Sequence, residues 1–190
     1  MSFYRLFIID IVIDSLVCRA ACVDIVCNNS SIKTLALNFC RQLRSLQLSC
    51  TNLETLSFCH STVTASNLIC TIQELCSLKS FTLQSTTIIA EPSSELTFAQ
   101  LDAATAQGAV VKFEEIIGLN DDVFHALIQV LQPHIITLKH CHELHHVKMH
   151  YPEHVHISHT SAETLVCEYN TNWVIFLTVE NKLAYILRLR

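Results

Sequence analysis

Histidine is the residue whose distribution first suggests chemistry in this sequence. Nine of the eleven histidines fall within residues 134–159, and Cys141 adds a thiol to the same segment. Imidazole is the commonest protein metal ligand near neutral pH, so a metal site has to be weighed. If two strands stack side by side, imidazoles at alternate positions of each strand converge on one face. The candidate ligands on this interpretation are His140, His142, His154 and His156.

The same segment matches the sequence of the His-Glu-x-x-His motif of zinc proteases. His142 and His146 stand four positions apart with a glutamate directly after the first histidine. That chemistry needs both histidines on one long helix. The motif instead lies between two strand-like stretches, Ile135–His140 and Val147–Met149, which leave no room for such a helix. A His-rich polar strand surface is the favoured interpretation, and a metal-binding protein or metal-dependent hydrolase is the alternative.

Other reactive residues do not form a recognisable catalytic arrangement. Cys18 and Cys22 are four positions apart, which on a helix favours core packing. Glu114-Glu115 and Asp121-Asp122 are interpreted as solvated charges and as acidic residues opening a helix. With two glycines in the chain, there is no P-loop, no glycine-rich dinucleotide turn and no Gly-x-Ser-x-Gly motif. We therefore expect no catalytic residue, no cofactor and no enzymatic activity.

The amino-acid composition favours a single folded domain and argues against a nucleic-acid-binding protein. The chain has 190 residues, of which 51% are hydrophobic and 15% charged, so we expect one domain with a substantial core. Its net charge of −5 and only 12 Lys and Arg residues argue against a nucleic-acid-binding protein. Asp10 and Asp14 interrupt the N-terminal apolar run, so no membrane span is expected.

The cysteines predict a compartment. The chain has ten cysteines but no Cys-x-x-Cys pair, and most of them lie within or beside apolar segments. Buried free thiols in a reducing compartment fit this distribution better than a disulfide framework. The sequence therefore predicts a cytoplasmic protein.

A repeated apolar phrase organises the elements that would position these residues. It reads Ile32-x-x-Leu35-x-Leu37, and it recurs from Leu43, Leu53 and Leu78. Two apolar residues in alternation predict a short strand with one buried face. A unit this small cannot cover its own apolar face, so repetition indicates stacked units that share one core.

The phrase extends to a pattern of nine residues, Leu-x-x-Leu-x-Leu-x-x-Cys/Asn/Thr, seen as Ile32…Cys40, Leu53…Ser61 and Leu78…Thr86. This pattern resembles the leucine-rich repeat superfamily, in an irregular form with cysteine-containing repeats. The resemblance implies an α/β fold, a leucine-rich-repeat-like solenoid with a parallel sheet on the concave side and short helices or extended legs on the convex side. It also implies protein recognition as the usual role.

The residues between the buried positions of each phrase are predicted to face outward. They are mostly small, neutral and polar, which suits broad hydrogen bonding to a protein partner. The predicted partner-binding residues are Thr34, Asn38, Thr55, Ser57, Ser80, Thr82, Gln84, Thr137 and Lys139. The sequence thus predicts a non-enzymatic interaction or scaffold module. A structural subunit of a larger assembly is a further alternative.

The remaining elements follow from local patterns. At the N terminus we expect a strand from Leu6 and a helix over Leu16–Val26, or alternatively one helix over residues 3–26. Further helices are predicted at Ser66–Leu75, at Glu95–Gln107 and from Asn120 to Pro133. Strands are predicted at Val110–Ile116, Ile135–His140, Leu144–Met149, Val155–Ile157, Leu165–Tyr169, Trp173–Val179 and Leu183–Leu189. Residues 1–190 are expected to form one domain, with 170–190 as a C-terminal cap.

Overall fold

A computed structural model describes residues 4–9, 14–19, 22–90, 108–150, 152–169, 176–179 and 184–189. In chain order the elements are β1 (Tyr4–Ile9), β2 (Ser15–Arg19), β3 (Cys22–Asn28), β4 (Thr34–Asn38), β5 (Ser45–Leu48), β6 (Thr55–Cys59), β7 (Thr62–Thr64), α1 (Ala65–Gln73), β8 (Ser80–Gln84), β9 (Thr87–Ile89), β10 (Val110–Glu114), α2 (Asp121–Leu131), β11 (Ile135–Lys139), β12 (His146–His150), β13 (His154–Ser158), β14 (Thr164–Tyr169), β15 (Phe176–Val179) and β16 (Ala184–Leu189). The chain is therefore α/β, with many short strands and few helices.

A central sheet of eight strands dominates the architecture. Its order is β15-β13-β11-β10-β8-β6-β4-β2, and each neighbouring pair is parallel. The spatial order follows the order along the chain, so each strand is added beside the one that precedes it in this sheet. The other strands, here called return strands, form the separate sheets β1-β3-β5, β7-β9 and β12-β14-β16. The parallel sheet that the leucine-rich-repeat resemblance implies is confirmed.

The core lies behind the central sheet and follows from the alternation within each strand. In β4, β6, β8 and β11 the second and fourth residues are buried and the others are half-buried. Because the register is exact between neighbours, the buried residues form two continuous rows. One row is Leu35, Leu56, Phe81, Val111, Ile136 and Val155, and the other is Leu37, Phe58, Leu83, Phe113, Leu138 and Ile157.

Aromatic rings extend this core towards the second helix. Phe58 and Phe81 meet edge to face with ring centroids 6.4 Å apart, and Phe81 meets Phe113 in the same way at 6.1 Å. Phe113 in turn contacts Phe124 of α2 at 6.3 Å. Edge-to-face pairs add to the free energy gained from burial of the rings. The contacts therefore join three central strands and a helix into one core.

Polar side chains bond the backbone at the turn after several central strands. The Ser61 hydroxyl lies 3.0 Å from the carbonyl oxygen of Leu37, and it accepts a hydrogen bond from the backbone N–H of Cys40. The Thr86 hydroxyl lies 2.9 Å from the carbonyl oxygen of Gln84 and 3.3 Å from that of Phe58. An unbonded buried carbonyl is costly, so a small donor at this turn stabilises each junction between strands. The Cys/Ser/Thr position of the repeated phrase is thus a backbone-bonding position.

Both described helices lie within about two residues of their predicted positions, α1 at Ala65–Gln73 and α2 at Asp121–Leu131. The side chain of Thr64 caps α1, and that of Asn120 caps α2 by accepting from the N–H of Val123 at 3.0 Å. The helix α2 ends at Gln132, which adopts a left-handed conformation with φ 40° directly before Pro133. The helix α1 packs against β5 and β7, and α2 packs against α1 and β12. The helices therefore lie on the return strands. No helix among the described residues is long and apolar enough to cross a membrane.

The N-terminal helix prediction is wrong. The segment Leu16–Val26 forms parts of β2 and β3, and the alternative of one helix over residues 3–26 fails for the same reason. Val23, Ile25 and Cys27 are buried while the residues between them are not, which is a period of two. β-Branched residues at these positions favour a strand. Cys18 and Cys22 accordingly lie in different strands, β2 and β3.

The other predicted elements fare better where they are described. The helices predicted at Ser66–Leu75 and from Asn120 match α1 and α2, and the strand predictions from Val110 onward match β10 to β16 within a few residues. The helix predicted at Glu95–Gln107 lies outside the described residues, as do parts of the proposed cap at 170–190. The strands β15 and β16 extend the central sheet and one return sheet by one strand each.

Phe81 tests the role of the aromatic core. We expect Phe81→Ala to lower the free energy of unfolding by about 3–5 kcal/mol, because it removes a fully buried ring and leaves a cavity. Urea unfolding followed by circular dichroism measures this. Thr82→Ala, on the opposite face of the same strand, is the control and is expected to change stability by about 0.5 kcal/mol at most. Equal losses in the two variants would contradict the described burial of Phe81.

Gln132 tests the left-handed helix end. We expect Gln132→Gly to raise the free energy of unfolding by about 0.5–1 kcal/mol, since glycine adopts positive φ without the steric cost of a Cβ. Gln129→Gly, at an exposed position inside α2, is the matched control and should lower stability by a similar amount. Urea unfolding compares the two variants. Destabilisation by both changes would show that Gln132 is not left-handed.

His125 of α2 links stability to pH. Burial lowers the pKa of this imidazole below its usual value, outweighing the carboxylates of Asp121 and Asp122, and its Nε2 has no hydrogen-bond partner among the described residues. The unfolded chain therefore binds the proton more readily, and stability falls as pH decreases from about 7.5 to 5.5. We expect His125→Phe to reduce this slope in unfolding experiments across that range. His142→Gln, which replaces an exposed histidine, should retain it.

Candidate functional site

The predicted partner-binding residues lie together on one face of the central sheet, here called the outward face. Thr34, Thr55 and Ser80 are in register at the start of β4, β6 and β8. Ser57 and Thr82 are in register two residues further along. Neighbouring parallel strands are about 4.8 Å apart, so these hydroxyls form closely spaced columns. The structure therefore brings the predicted hydroxyl residues into one contiguous polar patch.

A third column lies at the carboxyl ends of the same strands. Asn38, Cys59 and Gln84 are in register there, and the Cys59 thiol donates to Oε1 of Gln84 at 3.4 Å. These side chains are half-buried, like the hydroxyl columns beside them. Cys59 alternates with the buried Phe58 along β6, which places it on this face.

Charge enters the outward face further along the sheet. Lys112 of β10 forms an ion pair with Glu114 at 2.5 Å, and this hydrogen bond lowers the pKa of the Glu114 carboxyl. Thr137 and Lys139 of β11 lie beside these two residues in register. Next to them, β13 places His156 in register with Thr137. The face is thus neutral over β4, β6 and β8 and carries charge from β10 onward.

The predicted metal ligands are distributed between two places. β11 ends at Lys139, so His140 and His142 lie beyond the strand, whereas His154 and His156 lie within β13 on the outward face. The expectation that all four imidazoles share one pair of strand faces is therefore wrong. Among the described residues, no group of three or more His, Cys, Asp or Glu side chains is positioned to hold a metal ion.

The local structure does not support the zinc-protease motif at His142–His146. The segment around His142 and Glu143 is a turn that leads into β12, with no helix. Oε1 of Glu143 accepts a hydrogen bond from the backbone N–H of Gly118 at 2.9 Å. The backbone N–H groups of His145 and His146 donate to Asp121 at 2.8 and 2.9 Å. The hydrogen bonds to Asp121 therefore connect this turn to the start of α2.

A further set of side chains, here called the edge row, lies just beyond the carboxyl ends of the central strands. The sequence analysis did not predict it. Its members share a left-handed backbone with φ between 47° and 60°, and they are Phe39, His60, Ser85, Glu115, His140 and His159. The backbone N–H of each of the first five donates to a carbonyl at the end of the next strand. Each residue directly precedes the turn position of its repeat. Position in the repeat is the signal that would have found them, since none is glycine.

Side chains of the edge row contact one another in pairs. The rings of Phe39 and His60 stack with centroids 5.0 Å apart, and those of His140 and His159 stack at 4.8 Å. Between these pairs, Ser85 donates to Oε2 of Glu115 at 2.6 Å. The edge row therefore continues across the sheet from β4 to β13.

A shallow groove of about 480 Å³ adjoins the edge row. Its lining combines imidazoles, carboxylates and isoleucines, namely Ser85, Glu115, Ile116, Ile117, His140, His142 and Glu143. Ile117 is 62% exposed, which makes it the most exposed large apolar residue described. A groove with polar walls and an exposed isoleucine is suited to a side chain of a partner at the margin of a larger contact.

Known proteins supply no family for this chain. No protein-family model matches it, no curated protein matches it, and no solved structure matches it.

Proposed function

We propose that the chain is a leucine-rich-repeat-like solenoid that acts as a non-enzymatic protein-interaction module. In this proposal a protein partner binds the outward face of the central sheet, which is the concave side of the solenoid. The observation that carries the proposal is the in-register array of half-buried polar side chains over successive parallel strands. The free thiols of the described cysteines support a reducing compartment such as the cytoplasm.

Two features support the solenoid part of the proposal. Strands join the central sheet in chain order, and a return segment follows each of them on the other side of the core. The buried turn position of the repeated phrase holds Cys40, Ser61 and Thr86, and the last two bond the carbonyls of the preceding central strand. Each unit thus depends on its neighbour for both apolar burial and backbone hydrogen bonding.

The size of the outward face suits a protein ligand. Eight strands at a spacing of about 4.8 Å span roughly 34 Å, and five residues along a strand span roughly 16 Å. The product, on the order of 550 Å², approaches the area that one partner contributes to a standard interface. The edge row and its groove enlarge it. The two described helices, α1 and α2, pack on the return strands and not on this face.

The chemistry of the face predicts how a partner would be bound. Serine and threonine lose little side-chain entropy on binding, so their ordered hydroxyls cost little when they bond a partner. Electrostatic steering would come from the part of the sheet that carries Lys112, Lys139 and the histidines of β13. The partner is therefore expected to present a broad polar surface of low charge.

The outward face is tested by adding charge at its centre. We expect the triple variant Thr55→Glu, Ser57→Glu and Thr82→Glu to lose partner binding at least tenfold, because three carboxylates would be desolvated without partners. The side chains are not in the core, so the variant should remain folded. Immobilised parent and variant proteins are compared by quantitative mass spectrometry of retained proteins, and purified candidates by calorimetry.

The matched control places the same three charges elsewhere. Asn28→Glu, Gln47→Glu and Gln129→Glu alter exposed residues of β3, β5 and α2. A partner of the outward face is retained by the parent and by this control but not by the face variant. Equal retention by all three proteins, with thermal melts showing that each is folded, would refute the assignment.

A further inference from the structure

Two cysteines meet in the core between neighbouring return strands. Cys27 lies in β3, and Cys50 follows the end of β5, its neighbour in the sheet β1-β3-β5. Their Sγ atoms are 3.2 Å apart, although the residues are separated by 23 positions in the chain. The two side chains are 0% and 2% exposed. Since a disulfide bond measures about 2.05 Å, a movement of roughly 1 Å would bring the two sulfur atoms to bonding distance.

We propose that Cys27 and Cys50 are a thiol oxidation site, at which a reversible disulfide joins β3 to the turn after β5. The proposal is independent of the partner-binding function, because both residues lie in the core behind the return strands. In a reducing compartment the pair would be a dithiol, and a peroxide would convert it to the disulfide.

The surroundings of Cys50 favour it as the reacting thiol. A thiolate there accepts a hydrogen bond from the Cys27 thiol and, with a smaller effect, one from the backbone N–H of Asn29. The hydrogen bond from Cys27 lowers the pKa of Cys50, while the same contact raises the pKa of Cys27. A lowered pKa favours the thiolate of Cys50, which is the form that attacks peroxide.

The reaction balances with hydrogen peroxide as the oxidant. The Cys50 thiolate attacks one oxygen, the O–O bond breaks, and hydroxide leaves with a sulfenic acid on Cys50. Cys27 sulfur then attacks the Cys50 sulfur, the S–S bond forms and the S–O bond breaks. The proton of Cys27 and the departing hydroxyl leave as water. A small thiol reductant reverses the reaction by thiol–disulfide exchange.

Other buried thiols also lie near backbone carbonyls, as Cys50 does at 3.5 Å from the carbonyl oxygen of Cys27. The Cys141 thiol lies 3.4 Å from the carbonyl oxygen of Lys139, and burial raises its pKa to about 11. Cys40 likewise bonds a carbonyl, that of Asn38, at 3.7 Å. Besides Cys50, the buried Cys18 thiol also influences Cys27, so Cys18 is the competing partner for a disulfide. Selective pairing of Cys27 with Cys50 is expected because their sulfur atoms lie 3.2 Å apart.

Peptide mapping of the full chain tests the proposal directly. Exposed thiols such as Cys70 and Cys76 are first blocked with N-ethylmaleimide on the folded protein, which is then treated with hydrogen peroxide. Cleavage after basic and acidic residues gives the peptides 25–33 and 45–54, each with one cysteine, and separates 15–19 with Cys18. We expect 25–33 and 45–54 to be joined, two hydrogen atoms lighter than their sum, and released by dithiothreitol.

Stability gives a second readout. The disulfide closes a loop in the unfolded chain, so the oxidised protein should melt on the order of 5–10 °C higher than the reduced protein. Cys50→Ala removes the thiol and should abolish both the joined peptides and the redox-dependent shift, whereas Cys59→Ala should retain both. The proposal is overturned if peroxide joins Cys18 to Cys27, if it leaves 25–33 and 45–54 unlinked, or if the joined form melts at a lower temperature.

Discussion

In-register stacking of buried side chains between neighbouring parallel strands is the constraint on which this structure depends. A strand of five residues such as β4 or β6 buries only two side chains on its inner face. These side chains are buried from water only when the neighbouring strand places apolar side chains beside them in register. The free energy of burial, about 25 cal/mol per Å² of apolar surface, is therefore gained by neighbouring strands together. Cooperativity between adjacent units follows directly.

This constraint also determines where polar groups can be placed. The turn after each central strand must bend the chain away from the sheet without leaving buried carbonyls unbonded. In this chain small donors such as Ser61 and Thr86 bond the carbonyls, and the preceding residue takes positive φ. Left-handed backbone costs roughly 1 kcal/mol or more for a residue other than glycine. Side-chain stacking within the edge row, as between Phe39 and His60, offsets part of that cost.

The limits of prediction from sequence follow from the same physics. The phrase beginning at Ile32 predicted the central strands and the outward positions, because alternation within a strand directly reports its two faces. The segment Leu16–Val26 was predicted as a helix because a short apolar run also fits helical spacing. Edge-row residues escaped because left-handed turns are usually recognised by glycine. The proximity of Cys27 and Cys50 depends on pairing between return strands, which spacing along the chain does not specify.

Rigid stacking and a polar outward face are two consequences of one arrangement. The two buried rows fix the register of the strands that contribute to them. The backbone positions of Thr55 and Thr82 are therefore fixed as well. In the proposed function, the outward face is ordered before its partner arrives, so it would lose less entropy on association than a flexible loop. Small side chains are then an advantage, since they present hydrogen-bonding groups at fixed positions without long flexible arms. In the proposed function, the affinity of such a face would come from the number of aligned contacts more than from any single one, so adding charge at its centre is expected to disrupt binding more than removing one hydroxyl.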